Sequence, residues 1–143
     1  SPTTIMTTGA DAELNSDNLS NTTVWIRGSN LGGHTTLTTP GAFANTGTLR
    51  MESVEAGFAC NLTLPTGALT NSGTIQVNPG AGGNRILTGG VTNTGTINVA
   101  NGTSLSVVAT DRFFNQNAGS IAAPGQILLR TREALHCIGR GSP

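Results

Sequence analysis

The chain contains no lysine and no tyrosine, and aromatic residues make up only 3% of its 143 positions. Charge is scarce too: seven arginines stand against seven carboxylates, 10% charged residues in all, with a formal net charge of zero. Nucleic-acid binding needs clustered basic side chains to neutralise phosphates, and the sequence has no such cluster. No run of like charge marks an acidic tail or a membrane-surface patch. No apolar run nears the ~20 residues that a membrane-spanning helix requires. Nucleic acid as a partner and membrane insertion are therefore both excluded from the reading. The chain opens Ser1-Pro2, with no initiator Met and no basic-then-apolar leader. The expectation is a removed signal or a segment cut from a longer protein. Cysteine is almost absent, and Cys60 and Cys137 show neither metal-ligand nor redox-motif spacing. Their separation favours two buried thiols over one disulfide, and both readings stay open.

With 36% hydrophobic residues the chain is too polar for a large globular core. A disordered chain would pair low hydrophobicity with high net charge and few β-branched residues. Here Thr, Val and Ile are plentiful, which points to ordered β structure. The decisive feature is a sentence written several times. It reads Phe43-Ala44-Asn45-Thr46-Gly47-Thr48-Leu49-Arg50-Met51, then Leu69-Thr70-Asn71-Ser72-Gly73-Thr74-Ile75-Gln76-Val77, then Val91-Thr92-Asn93-Thr94-Gly95-Thr96-Ile97-Asn98-Val99. A weaker copy is Asn117-Ala118-Gly119-Ser120-Ile121, and a copy without glycine is Asn21-Thr22-Thr23-Val24. The aligned asparagines, Asn21, Asn45, Asn71, Asn93 and Asn117, lie 24, 26, 22 and 24 residues apart. A period in the twenties signals stacked coils, each covering the apolar face of the next.

The reading is an all-β protein, a parallel β-helix or solenoid of about five coils. It has an irregular N-terminal cap over 1–16, repeats over 17–130 and a C-terminal cap or tail over 131–143. In that tail Thr131 to Gly139 carries a capping residue, helix formers and a final glycine, the pattern of a short helix over the open end. Trp25, the lone tryptophan, is read as packing in or near the N-terminal cap, with ligand stacking as the sharper alternative. Phe58, Cys60, Leu62 and Leu64 alternate with the strand period of two and share a face, so Cys60 points inward as a small hydrophobe. Asn78 to Asn84 is a glycine-rich corner. It lacks the glycine fingerprint and the following helix of a phosphate-cradling loop.

Strand alternation divides the repeat into two sets. Leu69, Asn71, Gly73, Ile75 and Val77 face the core, while Thr70, Ser72, Thr74 and Gln76 face outward. An inward asparagine can stack on its counterpart about 4.8 Å away and pass amide hydrogen bonds along a column. Asn45, Asn71, Asn93 and Asn117 form this structural ladder. The glycine two residues on answers to crowding, or to a positive φ, at the bend beside the amide. The outward hydroxyls, Thr46, Thr48, Thr70, Ser72, Thr74, Thr92, Thr94 and Thr96, form a candidate binding face.

These Asn-x-Gly-Thr-Ile/Leu copies resemble the repeats of filamentous-haemagglutinin-type adhesins and of large bacterial surface proteins with β-helical stalks. The resemblance covers about residues 19–121, with no secretion-domain motif beside it. It implies a right-handed parallel β-helix, secretion to the cell surface or exterior, and attachment to cells or glycans.

Parallel β-helices also carry polysaccharide-degrading enzymes and phage tailspikes, whose sites need carboxylates grouped on adjacent coils. Glu52 lies seven residues after Asn45, but the equivalent positions are Asn78, Ala100 and Pro124, so no carboxylate column forms. Glu52 and Glu55 read as surface charge, and Asp111-Arg112 as an adjacent pair whose side chains diverge. His34 and His136 have no nucleophile or acid partner that spacing selects. The reading is therefore no enzyme, no cofactor and no metal. Ice binding by outward Thr-x-Thr columns is the second alternative, set against the plain role of Thr as a strand-surface residue. The Asn-x-Ser/Thr triplets at Asn18, Asn21, Asn61 and Asn101 are expected by chance in so Asn- and Thr-rich a chain. What remains is a structural or adhesive module of a bacterial or phage surface protein. Its expected partners are a polysaccharide, a host or cell surface, or a neighbouring solenoid.

Overall fold

The computed structural model describes residues 1–55, 57–108, 114–116, 119–122, 125–130 and 135–138. These residues form β-strands and their connections, with no helix among them. In chain order the strands are β1 (Thr3–Thr7), β2 (Ala12–Glu13), β3 (Thr22–Gly28), β4 (Thr35–Thr38), β5 (Phe43–Asn45), β6 (Thr48–Ser53), β7 (Cys60–Asn71) and β8 (Thr74–Val77). There follow β9 (Arg85–Asn93), β10 (Thr96–Val99), β11 (Ser104–Val108), β12 (Phe114–Gln116), β13 (Ser120–Ala122), β14 (Gln126–Arg130) and β15 (Leu135–Ile138).

One sheet stacks β1-β3-β6-β8-β10-β13, every pair parallel and in register. The second runs β2-β4-β7-β9-β11-β14, also parallel, and ends on β15. The later halves of β7 and β9 turn away to form a third face with β5 and β12. The bend in β7 is marked by a register shift between Thr63 and Ala68, where Pro65 interrupts the ladder. The chain is thus a parallel β-solenoid with three faces per turn. Corners bearing a buried asparagine occur at Asn18, Asn45, Asn71 and Asn93, marking about four turns among the described residues. The fifth expected turn depends on Asn117, which lies outside them.

The core is a column of aliphatic side chains, one layer per coil. Ile75 lies between Leu49 and Ile97, and Val77 between Met51 and Val99, all fully buried. Stacking like on like keeps every coil's apolar residues under the next, so a composition poor in large side chains still leaves a dry interior.

The two ends differ from the sequence expectations. The segment read as an irregular cap contains a regular rung, β1, paired parallel to β3 along five residues, with β2 paired to β4. At the other end the expected helix is replaced, over Leu135–Ile138, by β15, which pairs antiparallel with β14. An isolated helix of so few residues is marginal in water, whereas the edge of β14 offers a full row of unpaired backbone groups. Residues 131–134 and 139–143 lie outside the described residues.

Glycine in the repeat proves to be a matter of room. A β-carbon on Gly73 would fall on the carbonyl oxygen of Gly47, and one on Gly95 on that of Gly73. Neither glycine has a positive φ, so the close approach of coils at the corner sets the requirement and backbone handedness does not. Gly41, by contrast, has open space where a β-carbon would go and no positive φ. Gly73→Ala is expected to destabilise by about 2 kcal/mol or more, lowering Tm by ~5 °C or more, because backbone must shift on both coils. Gly41→Ala should leave Tm within about 1 °C. Thermal unfolding of the two variants side by side decides the matter.

Candidate functional site

The corner after β5, β7 and β9 is built on the inward asparagines. Asn18 Nδ2 donates to Asn45 Oδ1 at 2.7 Å, Asn45 Nδ2 to Asn71 Oδ1 at 2.6 Å, and Asn71 Nδ2 to Asn93 Oδ1 at 2.6 Å. The second N–H of each amide reaches a backbone carbonyl on the following coil: Thr48 O, Thr74 O, Thr96 O and, from Asn93, Ser120 O. All four asparagines are buried. The amides of Asn18, Asn45 and Asn71 therefore each hold their own coil, the next asparagine and the start of the next coil's first-sheet strand.

The expected ladder over Asn45, Asn71 and Asn93 is present; Asn117 lies outside the described residues. In the first coil the ladder position belongs to Asn18, not to Asn21 as the sequence alignment had it. Asn21 is exposed, with φ of 63°. Asn18 to Thr23 spans five residues where Asn45 to Thr48 spans three, so this corner carries two extra residues. Asn tolerates the left-handed conformation that such a tight turn needs. Asn21-Thr22-Thr23 mimics the repeat by composition alone.

The eight outward residues of the candidate face do not share a plane. Thr70 and Thr92 lie on the third face, in β7 and β9. Thr46, Ser72 and Thr94 stand on the corner itself. Their hydroxyls donate back to the preceding coil, Thr46 Oγ1 to Asn18 O at 3.0 Å, Thr94 Oγ1 to Asn71 O at 3.2 Å and Ser72 Oγ to Asn45 O at 3.5 Å. Thr48, Thr74 and Thr96 open the first-sheet strands, in one outward row with Thr4, Thr23 and Ser120. Thr96 bonds Ser120 at 3.2 Å, whereas the hydroxyls of Thr23, Thr48 and Thr74 have no hydrogen-bond partner among the described residues. These three lie in an open groove of about 430 Å³, walled by Pro2, Ser20 and Asn21.

The neighbouring outward row on the same sheet is Met6, Trp25, Arg50, Gln76, Asn98 and Ala122. Trp25 thus lies near the N-terminal segment, paired with Met6 of β1, on the outer face and half-buried under two guanidinium groups. Arg50 stands 4.4 Å and Arg27 5.5 Å from its ring centroid, a cation–π arrangement. Arg50 also pairs with Glu52. Trp25 Nε1, Arg27 Nε and Arg50 Nε are covered yet have no acceptor among the described residues.

A second polar cluster joins the loops at another corner. Asn30 N donates to Glu55 Oε2, and Ala59 N donates to His34 Nδ1 at 2.9 Å. His34 packs edge-on against Phe58, ring centroids 5.6 Å apart. Among the described residues, no three His, Cys, Asp or Glu side chains converge as metal ligands would. Glu52 and Glu55 each serve a local contact, the first with Arg50 and the second with Asn30.

Sequence reasoning missed Arg85, which faces inward between Cys60 and the next coil and is 5% exposed. Its Nη1 donates to Gly83 O at 2.7 Å and its Nη2 to Asn78 O at 2.9 Å, so it ties down the glycine-rich corner. The role found for that corner is a turn laced to a buried guanidinium. Cys60 is buried as expected, its thiol free, its Sγ accepting from Gly28 N at 3.3 Å. Burial pushes the thiol above its ordinary pKa, against smaller opposing effects of the Gly28 N–H and Arg85.

Fold and site together define a parallel β-solenoid with an amide-laddered corner and a hydroxyl-lined groove. Comparison with protein-family models, with curated proteins and with solved structures found no match.

Asn71→Leu leaves Asn45 Nδ2 without its acceptor and Asn93 Oδ1 and Thr96 O without their donor. It should cost about 2–4 kcal/mol and lower Tm by ~5 °C or more, while Asn21→Gly should be neutral within about 0.5 kcal/mol. In a Cys137→Ser background, Cys60 should resist iodoacetamide at pH 8 until denaturant is added. The sign of the pH effect follows: a folded thiol raised above its unfolded value contributes stability below the unfolded pKa. That stability is lost as pH climbs from the ordinary thiol range, near 8.5, toward the folded value. Urea midpoints at pH 7 and pH 10, compared with those of Cys60→Ala, measure it.

Proposed function

We propose that the chain is a non-catalytic structural or adhesive module of a secreted or surface protein of a bacterium or phage. The observation that carries this reading is the groove over the first sheet. Thr23, Thr48 and Thr74 project unbonded hydroxyls there in a row fixed by parallel register, beside the Trp25–Arg50 row. Rows of hydroxyls at the ~4.8 Å coil spacing suit a ligand that is itself a repeating array of hydroxyls, and a neutral polysaccharide is the fitting class. A rigid scaffold that holds such groups without adjustment reduces the ordering cost of binding. Repeated weak contacts supply affinity where no deep pocket does.

Ice is the second reading. It draws on the same row, but the corner hydroxyls of Thr46, Ser72 and Thr94 are turned to backbone carbonyls, and Arg50 and Trp25 stand beside the row. That relief suits a saccharide chain lying in a trough better than a flat crystal plane.

A glycan array and an ice-shaping assay on the wild type, with Thr48→Lys and Thr74→Lys as controls, test the proposal. Binding of one or more neutral glycans is expected, weakened at least tenfold by either lysine while Tm stays within a few degrees. Silence on the array with crystal shaping in the second assay would transfer the groove to ice. Silence in both would leave only the structural role. Release of reducing ends from a polysaccharide would overturn the non-catalytic reading.

A further inference from the structure

We infer that the guanidinium groups of Arg27 and Arg50, packed on Trp25, form a subsite for a sugar carboxylate, so that the polysaccharide held on the first sheet carries uronic acid residues. This rests on the reading of the hydroxyl groove as a saccharide trough and narrows the class of saccharide. The outer face of that sheet is laid out in rows. The hydroxyl row runs through Thr23, Thr48, Thr74 and Thr96. Two residues further along each strand, a same-face step of about 6.6 Å, comes the row of Trp25, Arg50, Gln76 and Asn98. Beyond it stand Arg27 and Glu52, neighbours in register.

The charged side chains in these rows are Arg27, Arg50 and Glu52, two positive and one negative, a net of +1. Glu52 turns its carboxylate to Arg50. Arg27 therefore has no carboxylate partner among the described residues. Its Nη1 donates to the thioether of Met6 at 3.9 Å, a weak acceptor, and its guanidinium lies 5.5 Å from the Trp25 centroid. An aromatic face attracts a cation but leaves the in-plane N–H groups of a guanidinium without an acceptor. Trp25 Nε1, Arg27 Nε and Arg50 Nε lack one as well among the described residues. The cluster thus has donors in excess of acceptors and positive charge in excess of negative. A carboxylate brings what is missing, one negative charge and two oxygens spaced to meet the two Nη groups of one guanidinium. The ring holds both guanidiniums in place beforehand, which lowers the ordering cost of binding. The Arg50 side chain is 34% exposed, so a ligand reaches it from solvent.

The surroundings select the carrier of that carboxylate. A single unit of net charge on this face suits a sparsely charged polymer and gives a densely sulfated one little to neutralise. The step between the rows spans one sugar ring, so a ring with its hydroxyls on Thr48 puts its far side over Arg50. Gln76 and Asn98 continue the second row at the coil spacing with amides, which donate and accept as neutral sugar hydroxyls require. An acidic peptide finds no free strand edge here, because β3, β6 and β8 are each paired on both sides.

Trp25 is the one tryptophan of the chain, so its emission reports on this subsite directly. Fluorescence titrations compare polygalacturonate, its methyl ester (the same polymer with the carboxylates capped) and dextran sulfate. Polygalacturonate is expected to change the emission and to bind roughly tenfold tighter than the ester, with affinity falling about tenfold between ~50 mM and ~500 mM salt. Arg27→Gln should weaken it roughly tenfold with Tm within about 3 °C, and Arg27→Lys should restore only part, since a point charge lacks the fork. Glu52→Gln should act in the opposite direction. It frees Arg50 and raises the net charge of the face from +1 to +2, so binding should tighten about threefold or more. A merely structural role of the cluster does not produce that sign. Equal affinity for polygalacturonate and its ester overturns the inference and, where neutral glycans bind, leaves the hydroxyl groove standing. Failure of both polymers and of every neutral glycan overturns the groove reading with it. Dextran sulfate binding more tightly than polygalacturonate, or Arg27→Gln and Glu52→Gln both without effect, also overturns the carboxylate subsite.

Discussion

The amide-to-amide hydrogen bond between asparagines of successive coils is the constraint on which the rest of this structure depends. A parallel solenoid has no turn chemistry that fixes how far one coil is rotated against the next. The apolar column alone would tolerate a slip, because Leu49, Ile75 and Ile97 are near-equivalents. The amides would not. A slip of one residue would carry Asn71 out of reach of both Asn45 and Asn93 and leave buried donors and acceptors unpaired, at roughly 1–3 kcal/mol for each group. Each amide's second N–H, on a carbonyl of the following coil, extends the same control to the strand that begins the next face.

The glycine two residues later follows from the ladder. For amide to meet amide at 2.6 Å, the corner backbones must approach closely, and the carbonyl of Gly47 then occupies the place of a β-carbon on Gly73. The outward hydroxyls follow in turn. With the coils clamped at this spacing, Thr46 and Thr94 sit where their hydroxyls reach the preceding coil's carbonyls, while Thr48 and Thr74, one strand-step on, have no carbonyl to spend theirs on. What the groove offers a ligand is thus a consequence of where the ladder leaves polar groups unused.

Much of this was legible in the sequence because alternation continues through the corner. Asn45 is buried, Thr46 exposed and Leu49 buried, as though the strand ran straight on. The same continuity hides the bend. Parity marks Thr46, Thr48 and Thr70 all as outward, and nothing in it says that they fall on a corner and two different faces. The first coil was misread because Asn21-Thr22-Thr23 carries the right letters, while the true ladder residue, Asn18, is separated from its strand by a two-residue insertion that only the backbone reveals. Arg85 was illegible for a different reason. Its burial rests on two carbonyls of a glycine-rich loop, Gly83 O and Asn78 O, whose positions depend on the fold being already in place. In the C-terminal segment, helix-forming residues lost to an unsatisfied strand edge, a competitor that local propensity cannot see.

Polarity runs through every level of this chain. Parallel strands give each rung a donor-and-acceptor pattern that repeats without reversing, the amide ladder points one way, and the carboxylates and arginines are sorted toward opposite ends. A stack built by translation carries no device of its own that ends it. One end of the second sheet is closed by reversing direction, β15 running antiparallel to β14. The first sheet has no such reversal among the described residues, and its two edge strands keep the phase of the interior rungs, with an isoleucine of the core column at each end.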